Sequence, residues 1–177
     1  MNYFLRLLTS GAIRKTPKQV LDVVVAELVF AKTINIIEAG AGHGEITSLV
    51  LERTTGVQEL NYYAFEIDEH ACAYLKQTFS NIHVLPESAF NLDGAIPAHT
   101  KATLFISSVP LSFYKRAVLK TFFSTIKNRL EKNGKIIIVF SAPWLIPFLK
   151  RHLPGLKIKS FLTFPFYFVG IYNHSVK

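Results

Sequence analysis

Three alternating glycines after an apolar segment are the feature that most constrains the fold of this chain. The segment Ile34–Ile37 leads into the acidic residue Glu38, and the glycines follow at Gly40, Gly42 and Gly44. Glycine adopts backbone angles that other residues avoid, and it leaves room for a ligand against the main chain. The run therefore predicts a buried strand, a tight turn that lies against a ligand, and then a helix.

A second apolar run ends in another acidic residue. It spans residues 62–67 and contains Glu66, which stands 22 residues after Gly44. An acid at the end of the next strand can bind both hydroxyls of a ribose, as in nucleotide-binding folds. The spacing E-x-G-x-G-x-G differs from the G-x-G-x-x-G of dinucleotide enzymes, and the phosphate-binding lysine of a P-loop is missing.

This pattern resembles motif I of class I S-adenosylmethionine-dependent methyltransferases, with Glu66 similar to their motif II acid. The resemblance covers residues 34–138. It implies an α/β fold with a doubly wound, mostly parallel seven-stranded sheet and an antiparallel C-terminal hairpin. It also implies S-adenosyl-L-methionine as the cofactor. In that family Glu38 would lie near the methionine part, the glycines would wrap it and Glu66 would hold the ribose. Three further stretches would complete the cofactor site: Ile67 at the adenine, Ser88 with Ala89, and Ser107.

The hydrophobic periodicity predicts alternating strands and helices. We expect one domain over residues 1–177, with a basic, amphipathic helical segment at 1–30 and a cofactor-binding core at 31–177. The predicted strands are 34–38, 62–67, 83–86, 104–109, 135–141, 157–163 and 166–172. The predicted helices are 17–29, 46–54, 69–79 and 115–131, the first with Thr16 as its cap and Pro17 at its first position, the last ended by a turn at 132–134.

Charge is distributed in blocks along the chain. Residues 1–21 carry +4, residues 22–93 carry −8 and residues 94–177 carry +12. The cofactor half is thus acidic and the remainder basic, which predicts a polyanionic partner for the basic half. RNA and an anionic membrane surface both meet that description.

Composition excludes several classes of protein. No window reaches the roughly 18 uninterrupted apolar residues of a membrane-spanning helix. The single cysteine, Cys72, cannot form an internal disulfide, and we expect it to be a core residue of a cytoplasmic protein rather than a nucleophile. We expect no metal site.

The fourth predicted strand leads into FISSVPLSFY, residues 105–114. Families that methylate adenine have N-[ILV]-P-[FY] here, so Ser108 and Leu111 replace the asparagine and the aromatic residue, which argues against base methylation. The stretch resembles the S-G-[LIV]-P-[FL]-S of bacterial phospholipid N-methyltransferases, which are similar in motif I to the rRNA adenine dimethyltransferases. We expect Ser108 to accept hydrogen bonds from the reacting amine and Tyr114 to relay its proton.

A lipid head group carries a phosphate, and the acyl chains stay in the bilayer. Cations and a proline placed near the predicted acceptor pocket are candidate substrate-binding residues: Arg14, Lys15, Pro110, Lys115 and Arg116. Residues 1–8 and 143–153 combine aromatic and aliphatic side chains with Arg or Lys, as interfacial anchors do. Packing of both segments on the sheet is the alternative.

The sequence thus predicts a methyltransferase that N-methylates a phospholipid amine of the phosphatidylethanolamine type. It would be cytoplasmic, peripheral at the inner membrane face. Two alternatives stay open: an RNA methyltransferase of the rRNA adenine type, favoured by the basic half, and a cofactor-binding module without catalysis.

Overall fold

A seven-stranded sheet forms the centre of the molecule. The structure, a computed structural model, describes residues 16–28 and 32–174, so the predictions for Arg14, Lys15 and residues 1–8 lie outside the described residues. The strand order is β3-β2-β1-β4-β5-β7-β6, and β7 runs in the direction opposite to the other six strands. The strands are β1 Thr33–Ala39, β2 Glu59–Phe65, β3 His83–Leu85, β4 Ala102–Ser107, β5 Leu130–Phe140, β6 Lys157–Phe161 and β7 Tyr167–Asn173.

Helices cover both faces of this sheet. They are α1 Lys18–Ala26, α2 Glu45–Arg53, α3 Glu69–Thr78, α4 Leu92–Ala95, α5 Arg116–Arg129 and α6 Ile146–His152. Side chains of α1, α2 and α3 pack on one face, and those of α4, α5 and α6 pack on the other. The strands in the middle of such a sheet are covered on both faces, and all six residues of β4 are buried.

The predicted fold class is confirmed, with differences in individual elements. Residues 132–134, expected as a turn, belong to β5, which continues through Asn133 at a φ of 67°. Helix α1 begins at Lys18 with Pro17 as its N-cap, and no side chain caps it. Helices α4 and α6 were not predicted. Pro143 lies in the turn before α6, and Pro147 lies in the first turn of that helix. Proline is tolerated in the first turn of a helix, where its missing N–H costs nothing.

The parallel register brings the carboxyl ends of four strands to one edge. Ala39 of β1 pairs with Phe65 of β2 and with Ser107 of β4, and Phe65 pairs with Leu85 of β3. The order of the strands reverses between β1 and β4, which is where ligands bind in open α/β sheets. Within the described ranges, 16–28 and 32–174, no helix has the length and apolar character needed to cross a membrane.

Candidate functional site

The glycine turn follows β1 at this edge, and each glycine has a positive φ. A Cβ on Gly40 would lie 3.3 Å from Val109, and one on Gly44 would clash with Phe79 and Leu75 of the α3 region. A Cβ on Gly42 would meet no protein atom within 4 Å. Gly40 and Gly44 thus serve packing within the protein, whereas Gly42 leaves open space at the edge of the sheet.

Glu66 connects the end of β2 to the glycine turn. Its Oε2 accepts a hydrogen bond from the Gly42 N–H at 2.7 Å, and its Oε1 accepts from Ile67 N at 2.7 Å and Asp68 N at 2.9 Å. A carboxylate has about four acceptor positions, and three are used here. To hold both hydroxyls of a ribose, Glu66 must therefore exchange at least one of these backbone bonds.

Glu38 is fully buried beneath the turn. Its Oε2 accepts hydrogen bonds from the Thr47 hydroxyl and the Tyr62 hydroxyl, both at 2.6 Å. Burial raises the pKa of Glu38 to about 7, the two hydroxyl donors oppose that shift, and the charge of Glu66 adds to it. The site thus has one carboxylate that changes its charge near neutral pH.

Two buried polar atoms at this edge have no hydrogen-bond partner among the described residues: Glu38 Oε1 and Ser107 Oγ. Buried polar atoms are rarely left in this state, so each needs an explanation. S-adenosylmethionine has an ammonium and a sulfonium and no phosphate. Its positive groups suit the Glu38 carboxylate oxygen and the Ser107 hydroxyl, and the space beside Gly42 leaves room for it. The residues present fit this cofactor. Within the described ranges, no cluster of three or more His, Cys, Asp or Glu residues could hold a metal ion.

Ser108 joins the end of β4 to the glycine turn. Its hydroxyl donates to the Gly40 carbonyl at 2.6 Å, and its N–H donates to the Ala39 carbonyl at 3.0 Å. The hydroxyl proton is therefore already used, while the lone pairs of the oxygen remain able to accept from an amine. Its predicted part in catalysis stays a prediction.

Tyr114 lies half-buried beyond the same strand. Its ring stacks on Phe90 at a centroid distance of 4.3 Å, and Phe90 stacks in turn on Phe122 of α5. Burial raises the pKa of Tyr114, so the hydroxyl keeps its proton at neutral pH. It can pass a proton only by accepting one as it gives its own away, as the predicted relay requires.

The other predicted cofactor residues occupy different environments. Ile67 is 48% exposed directly after Glu66, so an apolar surface is available for an adenine. Ser88 Oγ accepts from Phe90 N at 3.3 Å, and Ala89 is buried in the core. Ala89 could therefore contact a ligand only through its backbone.

Among the predicted substrate residues, the structure describes Pro110, Lys115 and Arg116, and they differ in their surroundings. Pro110 begins a short 3₁₀ turn after β4, and Lys115 is exposed ahead of α5. Arg116 turns towards the α6 region, where it donates to the Trp144 carbonyl at 3.3 Å and lies 4.7 Å from the centre of the Phe148 ring. This arginine belongs to the surface between α5 and α6.

Sequence reasoning missed Thr47 and Tyr62, the partners of Glu38. A signal existed, because Ile36 of β1 pairs with Tyr62 of β2 and strand alternation places Glu38 on the same face as Ile36. Cys72 is buried as predicted, and its thiol lies 3.3 Å from the Glu66 carbonyl oxygen.

No protein-family model matches the sequence, and no curated protein matches it. Solved structures do match in fold. An rRNA methylase from Streptococcus thermophilus is 18% identical, with a TM-score of 0.64 over 92% of this chain and 99% of that one. A methyltransferase from Streptococcus mutans in complex with S-adenosylhomocysteine is 16% identical, with a TM-score of 0.65 over 92% of this chain and 100% of that one.

A third structure is a 16S rRNA N2 G1207 methyltransferase from T. thermophilus in complex with AdoMet and guanosine. It is 16% identical, with a TM-score of 0.68 over 92% of this chain and 44% of that one. The chain therefore has the fold of class I S-adenosylmethionine-dependent methyltransferases. The phospholipid N-methyltransferase subtype is not among these structures, so the acceptor has to be argued from the site.

Proposed function

We propose that this protein is an S-adenosylmethionine-dependent methyltransferase. The observation that carries the proposal is the unpartnered Glu38 Oε1, buried at the end of β1 beside the open Gly42. A buried carboxylate oxygen without a donor is costly, and a ligand ammonium would compensate it. Glu66, held next to Gly42, is the second acid of the site.

When bound, the cofactor supplies an electrophilic methyl group on a sulfonium. The chain positions the acceptor nitrogen in line with that group and excludes water. Ser107 Oγ and the lone pairs of Ser108 can accept hydrogen bonds from an amine without placing a fixed negative charge beside it. Tyr114 can carry the proton that the nitrogen loses.

A cofactor titration tests the proposal. Glu66→Ala should weaken S-adenosylmethionine binding at least about tenfold in calorimetry, since a hydrogen bond to a charged group contributes ~1.5–3 kcal/mol. The matched control is Glu69→Ala, an exposed acid three residues further on in α3. Equal affinity in the Glu66 variant and the wild type would remove Glu66 from the site, and no binding to the wild type would refute the proposal.

For the acceptor, we infer RNA in preference to a phospholipid. Helices α5 and α6 contain no acidic residue, within a half of the chain that carries +12. Residues 143–153, expected at a membrane interface, turn three leucines into the core: Leu145, Leu149 and Leu153. Those three leucines are therefore not available to insert into a bilayer. The missing adenine-type asparagine before Pro110 argues against the adenine amine as the acceptor within RNA.

A phospholipid amine stays the second candidate because of the β6–β7 hairpin. Leu162 at its tip is 93% exposed, and Lys157 and Lys159 lie on the preceding strand. The deciding assay supplies labelled cofactor with total RNA or with total membranes from the same cells. We expect label in RNA; label only in lipid extracts would reverse the assignment, and binding without transfer would leave a cofactor-binding module.

A further inference from the structure

A cleft of about 540 Å³ lies between α5 and α6, on the face of the sheet opposite α2 and α3. Arg116 lines one end of the cleft and His152 the other, and the Lys127 ammonium donates to the His152 carbonyl at 3.2 Å. The cleft is lined by Arg116, Ala117, Lys120, Pro147, Phe148, Arg151 and His152.

The walls of the cleft are positive and carry no compensating acid. Neither helix contains Asp or Glu, and among the described residues Arg116, Lys120 and Arg151 take part in no ion pair. Burial and, after it, the cations Arg151, Lys120 and Lys127 lower the pKa of His152. Like charges held this close repel one another, so an anion bound in the cleft would stabilise it.

The cleft also offers flat apolar surfaces. The Phe148 ring lies under the Arg116 guanidinium, and Trp144 is 64% exposed next to them. Cations alternating with exposed rings suit a nucleic-acid strand, whose phosphates pair with the cations while a base stacks on a ring.

The position of the cleft connects it to the site at the strand ends. Helix α5 begins soon after β4, and Trp144 follows β5, so the Arg116–Trp144 end lies at the edge of the sheet that holds the glycine turn. From Arg116 to Lys127 the helix extends about 16 Å at a rise of 1.5 Å per residue. A strand lying in the cleft would thus lead towards the proposed methyl donor.

We propose that the α5–α6 cleft binds a single strand of RNA, with its phosphates on Lys120 and Arg151 and a base on Trp144. The inference rests on the proposed function for its connection to methyl transfer. A bilayer is a flat surface and cannot follow a concave cleft between two helices. Charge complementarity and this shape favour an RNA strand over a membrane.

The test measures binding of a fluorescein-labelled, single-stranded RNA oligonucleotide of mixed sequence across a series of salt concentrations. The double variant Lys120→Ala/Arg151→Ala should lose affinity roughly tenfold. Its plot of log affinity against log salt should be shallower by about 1.4, since each phosphate contact to a single strand contributes about 0.7. The control Lys157→Ala/Lys159→Ala removes the same charge from exposed positions on β6 and should retain the wild-type slope.

Trp144→Ala gives a second, independent readout. Loss of a stacked base should weaken binding by roughly 5- to 150-fold and leave the salt slope unchanged. Tyr74→Ala, an exposed aromatic on α3, is its control and should change little.

Three results would overturn the inference: equal loss of affinity in the Lys120/Arg151 and Lys157/Lys159 double variants, unchanged affinity in the cleft variants, or no RNA binding by the wild type. Binding to vesicles of anionic phospholipid is measured in parallel. If the wild type and the Lys157/Lys159 control bind the vesicles and the cleft variants do not, the cleft is a membrane-binding surface. Calorimetry with S-adenosylmethionine on the same variants separates the two proposals. If the cleft variants bind S-adenosylmethionine and RNA as the wild type does, the RNA site in the cleft is refuted and the proposed function is not. If the wild type does not bind S-adenosylmethionine, the proposed function is refuted.

Discussion

The two faces of the sheet differ in the sign of their charged residues and in the contacts that those residues make. On the face of α2 and α3, acids alternate with a few cations, and the acids of the site bond to backbone N–H groups and buried hydroxyls. On the face of α5 and α6, every charged residue of the two helices is basic. Arg116, Lys120, Lys150 and Arg151 are exposed, whereas Arg129 is buried and pairs with Asp93. The first arrangement suits one small cation in a fixed position. The second suits a long anion that can bind at several positions along the helices.

The largest expected effect lies in the glycine turn. Gly42→Val should reduce S-adenosylmethionine affinity at least about 100-fold, because the side chain fills the open space and strains a φ of +54°. Gly56→Val is the matched control, since Gly56 also has a positive φ and open space but lies between α2 and β2. Calorimetry on both variants checks this. If both variants lose a similar amount of affinity, the loss comes from backbone strain, and Gly42 does not lie in the cofactor site.

Tyr114→Phe should lower the rate of methyl transfer without changing the affinity for the cofactor. We expect kcat to fall about 10- to 100-fold, below the full range for a proton-transfer group because water can replace a half-buried hydroxyl. Cofactor affinity should remain unchanged, since the stack on Phe90 needs only the ring. Single-turnover assays measure this, and an unchanged rate would leave Tyr114 as a packing residue.

The pH dependence of cofactor binding should follow Glu38. Its pKa in the folded protein is about 7, and the cofactor ammonium favours the ionised carboxylate. Affinity should therefore rise up to tenfold per pH unit below about pH 7 and level off above it. Titrations between pH 5.5 and 8.5 check this expectation, and Glu38→Gln should remove the dependence. A flat profile in the wild type would show that no ammonium meets this carboxylate.

The raised pKa of Glu38 also makes stability depend on pH: cofactor affinity should rise with pH, whereas the stability of the cofactor-free protein should fall. Since the folded state holds a proton that the unfolded state releases, the contribution of Glu38 is fully present below about pH 4.5 and is lost as pH rises through about 7. The loss is on the order of 3 kcal/mol relative to Glu38→Gln. Urea unfolding of the cofactor-free protein at several pH values measures it, and parallel curves for the two proteins would contradict it.

The smallest expected effect is at the junction of the two halves. Ser108→Ala removes the bond to the Gly40 carbonyl and should destabilise the protein by about 1 kcal/mol. Ser112→Ala, an exposed serine in the next turn, is the control. Chemical denaturation reports the difference. A large loss of turnover at unchanged stability would instead support the predicted catalytic part of Ser108.

The cofactor half could be predicted from sequence because its positions depend on local backbone geometry. The glycines, the acids and the two parallel strands lie within about 30 residues of one another in sequence. The sequence therefore predicted that Glu38, Gly42 and Glu66 share one edge of the sheet, and the structure has them there. The Glu38 partners Thr47 and Tyr62 were missed because they depend on the register between β1 and β2. The deviation of β5 around Asn133 was missed because its N–H bonds to the carbonyl of His174, a distant residue in sequence.

The basic half resisted prediction for a different reason. The spacing of Arg116, Lys120 and Lys127 places them along one side of a helix, and that signal was present. What this side of α5 faces depends on α6, a helix that was not predicted from a segment containing Pro143 and Pro147. For residues 143–153 the composition fits both an interfacial anchor and packing on the sheet. The choice depends on tertiary contacts, and in the structure Leu145 and Leu149 pack on the core.

The partnerless oxygen of Glu38 also affects how long the protein survives in a cell. A folded chain that carries an uncompensated buried carboxylate opens more often, and opened chains are the ones that proteases degrade. A ligand that binds only the folded state lowers the opened population by the factor 1 + [L]/Kd. The amount of this protein would then follow the supply of its own methyl donor, so starvation for that donor would remove the enzyme as well as its substrate.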